Sequence, residues 1–78
     1  MLTLRVKSES EEKIVYDFFP ENTGECGTIE LNKNDGEISV IKVADGDEYS
    51  RYLHHAVSKA REFFEKGHYE DNISVAWY

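Results

Sequence analysis

The side chains able to do chemistry are few, and most are histidines and carboxylates. His54 and His55 are adjacent. Neighbours on a helix point about 100° apart, so this pair cannot close on one metal ion, which needs spacings of three or four. Both sit well round from the apolar positions of their segment and are expected on its solvated side. Asp45, Asp47 and Glu48 gather three carboxylates over four residues. With His68 they form a weak set for a divalent cation, although capping of the next helix accounts for Asp47 without a metal. Residues 32–37 superficially resemble a calcium loop. The first coordinating position lacks Asp, the glycine is out of register and no Glu closes a twelve-residue loop, so the run reads as a turn.

Cys26 lies between Glu25 and Gly27 with no cation or helix start beside it to activate a thiol. Being single, it forms no intramolecular disulfide, and a reducing compartment is expected. Asp17 and Glu30 are carboxylates of the type that does acid–base work in pairs, provided that strand register sets them together. There is no glycine-rich phosphate loop, nucleophile elbow, Cys-x-x-Cys pair or His-Glu-x-x-His helix. No catalytic residue and no cofactor is therefore assigned, and an enzyme is the less supported class.

The 78 residues carry 9 Lys+Arg against 16 Asp+Glu, a net charge of -7 with pI near 4.8. Such a balance works against direct nucleic-acid binding, which draws on phosphate neutralisation by Lys and Arg. Residues 1–39 hold 4 basic and 9 acidic side chains and residues 40–78 hold 5 and 7, too diffuse an excess for a nucleic-acid mimic. A chain this short buries about 60% of its unfolded surface, enough for one modest core, so residues 1–78 read as a single domain. Apolar runs are far shorter than the roughly 20 residues of a membrane helix, and the alternating start does not look like a signal peptide. A cytoplasmic protein is expected.

The elements that must position these side chains follow from periodicity. Leu2, Leu4 and Val6 alternate with polar residues in a first strand over residues 2–8. A second strand over 13–19 carries Ile14, Tyr16 and Phe18 on one side and Val15 and Phe19 on the other, and Pro20 ends it. A third strand over 27–33 turns at Asn34-Asp35-Gly36 into a fourth over 37–43. That fourth strand has Ile38 and Val40 on one side and Ile41 and Val43 on the other, which calls for a bulge or two covered faces. Asp47 N-caps a helix whose stripe is Tyr49, Tyr52, Leu53, Ala56, Val57, Ala60, Phe63 and Phe64, ending at Lys66 with Gly67 beyond. Residues 73–78 form a last strand.

The fold class expected is α+β: an antiparallel meander of four strands, one amphipathic helix packed on one face, and a C-terminal fifth strand. Strand five pairs either beside strand one, with every neighbour antiparallel, or beside strand four; the first arrangement is preferred. One helix covers one face, which leaves Val15, Phe19, Ile41, Val43 and Tyr78 for the other. Grouped apolar residues of that kind mark protein contact, including homodimer faces. The function expected is a non-enzymatic protein-interaction or regulatory module that acts through the second sheet face or the exposed strand-four edge, its partner another protein or a second copy. The alternative is a small-ligand or metal-dependent accessory protein using the loop at 45–48 with His68.

Overall fold

The computed structural model describes residues 2–20, 26–43 and 51–75. The chain forms β1 (Leu2–Glu9), β2 (Lys13–Pro20), β3 (Gly27–Asn32), β4 (Ile38–Lys42), α1 (Arg51–Lys66) and β5 (Ile73–Val75). All five strands join one antiparallel sheet in the order β4-β3-β2-β1-β5, with α1 across one face. This is the α+β meander with its helix and fifth strand, and β5 lies beside β1. No described helix is long and apolar enough to cross a membrane.

Alternation decides what the sheet buries. Leu2, Leu4, Ile14, Tyr16, Phe18, Ile29 and Leu31 point to the helix side and are fully buried. From α1, Ala56, Ala60 and Phe63 meet them, spaced four and three along one stripe. The two alanines carry no side chain past Cβ, so the helix backbone can lie close to the sheet. Phe63 fills the far end, its ring 5.8 Å from that of Tyr16 and tilted by 41°.

Turn chemistry sets the ends. The Ser10 hydroxyl accepts from the Lys13 N–H at 3.1 Å, tying the β1–β2 connection. Between β3 and β4, the Asn32 and Asp35 side chains accept from the N–H groups of Asn34 and Glu37, each at 2.8 Å. Gly36 takes φ +80° there, and the Phe64 ring packs where a Cβ would project. After α1, the Gly67 N–H donates to the Phe64 carbonyl and the His68 N–H to the Phe63 carbonyl, both at 3.2 Å. With Gly67 at φ +68°, this is a Schellman ending.

Several boundaries differ from expectation. Pro20 belongs to β2 rather than following it: it pairs with Leu2 of β1, and the described β3 pairing begins opposite Phe18, so no described ladder bond needs a Pro20 N–H. The β4 strand is shorter than 37–43, since the connection of five residues from Lys33 to Glu37 precedes it. The facing conflict in β4 is resolved by a bulge: Val40 pairs with Ile29 and Lys42 with Thr28, which leaves Ile41 as the extra residue. A second bulge falls at Lys7 in β1, between the pairs Val6–Tyr16 and Ser8–Val15. The helix cap at Asp47, stripe residue Tyr49 and the strand residues past Val75 lie outside the described residues.

Candidate functional site

The side of the sheet away from α1 holds two of the expected interaction residues, Val15 and Phe19, both half-buried. Asp17 lies between them along β2, and the Thr28 hydroxyl donates to its carboxylate at 2.8 Å. The Arg5 guanidinium stands 5.9 Å from the Phe19 ring centre. Glu30, opposite Val15, is 3.8 Å from the Lys13 ammonium. Asp17 pairs in register with Thr28 and not with Glu30, so each carboxylate has its own partner and the two form no acid–base pair.

Ile41 and Val43 belong to a different place. They lie at or just after β4, 60% and 53% exposed, with Val40 beside them at 47%. The polar residues Thr28 and Glu30 of β3 separate them from Val15 and Phe19, so the structure makes two regions of the expected face rather than one. Tyr78 lies outside the described residues.

The β4 region has the more distinctive geometry. A helix is about 10 Å across and five strands at about 4.8 Å spacing span about 19 Å, so one helix cannot roof the whole sheet. Here α1 packs on β1, β2 and β3. Between it and β4 runs an open groove of about 500 Å³, lined by Ile38, Val40, Leu53, Val57, His54 and Arg61. β4 is also a sheet edge. The Asn32 N–H donates to the Glu37 carbonyl at 2.8 Å, so the next bonded pair in the alternation is Glu30–Ser39. Ile38 and Val40 therefore turn their N–H and C=O groups to the open side. Groove and open backbone thus lie along the same strand.

Sequence reasoning took Leu53 and Val57 simply as core and His54 as a solvated outer residue. The helix has less roof to offer than its stripe is wide, so its β4 flank stays half-exposed, and His54, though exposed, faces the groove. The available signal was the count of strands against a single helix. His55, also expected to be solvated, is half-buried on the opposite flank.

A second constellation closes the sheet end near the β1–β2 turn. The Tyr16 hydroxyl donates to the Glu70 carbonyl at 2.8 Å. Burial first, and then the negative charges of Glu9 and Asp71, push its pKa well above the ordinary tyrosine range, so Tyr16 stays protonated and supplies no base or nucleophile. Asp71 accepts from the Val6 N–H at 3.2 Å, taking over a β1 donor just past the β5 pairing. Lys33 pairs with Glu9, donates to the Ser10 carbonyl at 3.0 Å and stands 5.1 Å from the Tyr69 ring centre. These contacts tie the turns to the segment after the helix.

Two further concavities lie away from β4. One of about 360 Å³ is lined by Arg5, Val6, Asp17, Phe19, Asp71 and Asn72, the last at φ +55°. It holds no nucleophile beside a base. The other, about 150 Å³, places His68 with Lys59, Glu62, Lys66 and Glu70. Of the weak metal set, Asp45, Asp47 and Glu48 lie outside the described residues. No group of three or more His, Cys, Asp and Glu suited to a metal occurs among the described residues. Cys26 is a half-buried free thiol at the start of β3.

Fold and surface together define an antiparallel five-stranded α+β domain with one helix and an apolar edge strand beside a groove that is open among the described residues. Compared with known proteins, the chain matches no family model, no curated protein and no solved structure.

Proposed function

We propose that this chain is a small non-enzymatic protein-interaction module that engages a partner through β4. One observation carries the reading: the edge strand with outward-turned backbone also carries the exposed large apolar side chains Val40 and Ile41, with Val43 just after it. Edge strands of folded proteins are ordinarily blunted by charge, and an apolar one is a template for an added strand. Lys42 and the bulge at Ile41 limit indiscriminate pairing and leave the segment from Ile38 to Val40 as the docking element.

The test is site-specific photo-crosslinking in the producing cell, with a benzophenone side chain placed at Ile41 or, as a control, at exposed Glu11. A discrete adduct from position 41, absent from position 11 and lost when Val40→Lys is added, is the expected result. Adducts that are equal from both positions, or that survive Val40→Lys, would remove β4 as the docking element.

A further inference from the structure

We infer that the occupant of the β4 edge is an extended peptide segment of another protein that carries a carboxylate between apolar residues on its groove-facing side. The inference rests on the reading of β4 as the docking element and adds the chemistry of what docks there.

Its basis is charge set against composition. The chain holds 16 acidic and 9 basic side chains, yet the charged or ionisable residues among those described in the groove are Arg61 and His54, with no carboxylate. Arg61 is exposed and makes no ion pair with another described residue, whereas Glu62, next to it on α1, already has Lys66 at 2.8 Å and Lys59 at 3.4 Å. The helix flank over β4 is therefore a rim that carries the Arg61 cation above an apolar floor of Ile38, Val40, Leu53 and Val57. A strand added to β4 continues the sheet and sends every second side chain to the groove side. Apolar residues at two such positions would extend the floor, and an acidic residue between them would meet the rim.

A second copy of this chain does not supply that pattern. Its own exposed edge presents Ile38 and Val40 to the groove side and no carboxylate there, so self-pairing would bring two Arg61 side chains to one cleft. The complementary partner is of opposite local charge, which favours a different protein.

The probes are two capped seven-residue peptides alternating threonine with valine, glutamate, valine or with valine, lysine, valine. Each is titrated to about 5 mM into the labelled full chain, where even a millimolar affinity registers by NMR. Expected are shifts of the Ile38 and Val40 amides and the Leu53 and Val57 methyls. The glutamate probe should bind about tenfold more tightly than the lysine probe, since attraction is exchanged for repulsion, and added salt should shrink the gap. Arg61→Glu, an exposed substitution that the fold tolerates, should reverse the order. Equal binding of both probes at β4 overturns the acidic specificity and leaves the docking element standing. Absence of shifts at β4 from either probe overturns both readings. Light scattering showing twice the 9.0 kDa chain mass, with both probes excluded, makes a second copy the occupant and overturns the inference.

Discussion

Replacing Tyr16 with Phe removes a single oxygen from the end of the core, and its effect should depend on pH. The ring is fully buried against Phe63, and the hydroxyl's described partner is the Glu70 carbonyl at 2.8 Å. At neutral pH both the folded and unfolded states keep the phenolic proton, so the variant loses only a hydrogen bond, about 1 kcal/mol. The folded-state pKa is raised above the ordinary value of 10.0, by burial first and then by Glu9 and Asp71. A raised pKa means that the stabilisation is present below the unfolded value and is lost as pH climbs past it. Above about pH 10 the unfolded wild type releases the proton that the folded form retains, and stability falls by up to about 1.4 kcal/mol per pH unit. Tyr16→Phe lacks that loss, so its stability curve should cross the wild-type curve near about pH 11. Urea unfolding followed by far-ultraviolet circular dichroism, in half-unit steps from neutral pH, measures the difference, and the remaining tyrosines cancel in it. A gap between the two proteins that stays constant across the whole range would show that Tyr16 ionises alike in both states. It would refute the buried placement of its hydroxyl.

Three further substitutions test the packing. Phe63→Ala should cost about 3–5 kcal/mol, enough to unfold much of a domain this small, while His54→Ala on the groove flank should stay within about 0.5 kcal/mol. Similar losses in both, measured by chemical denaturation, would mean that α1 presents another face to the sheet. Gly36→Ala should cost about 1–3 kcal/mol, because Gly36 sits at φ +80° with the Phe64 ring against it. In a Phe64→Ala background the steric part should vanish and the conformational part remain, so a double-mutant cycle with no coupling would contradict the contact.

Much of the architecture was legible in the residue pattern because local physics sets it. The two-residue period of Leu2-Leu4-Val6 and Ile14-Tyr16-Phe18 names a buried side wherever one face of a sheet is covered. The three-and-four spacing of Ala56, Ala60 and Phe63 likewise names the buried stripe of a helix. Gly67 closed the helix where its conformational freedom called for it, and the Asn34-Asp35-Gly36 run made the β3–β4 turn. The conflict in the fourth strand was also visible, since Ile38-Val40 and Ile41-Val43 cannot share a side without an extra residue.

The functional surface was less legible, because it depends on distances between elements that are remote in sequence. Val15, Phe19, Ile41 and Val43 all read as residues of the uncovered side. The edge position of the fourth strand followed from placing strand five beside strand one, but only the sheet itself shows that Thr28 and Glu30 of β3 divide the four residues. The partnership of Asp17 was likewise a matter of register, which set Thr28 opposite it in place of Glu30. The same holds for the closure around Tyr16, where Glu70 is 54 residues away in the chain. Periodicity by itself determined which residues turn inward on each strand and on the helix, because that is dictated within a few residues by backbone geometry. Tertiary structure alone decided how far one helix reaches across five strands, and so left, among the described residues, a groove beside β4 with an apolar floor and Arg61 of α1 above it.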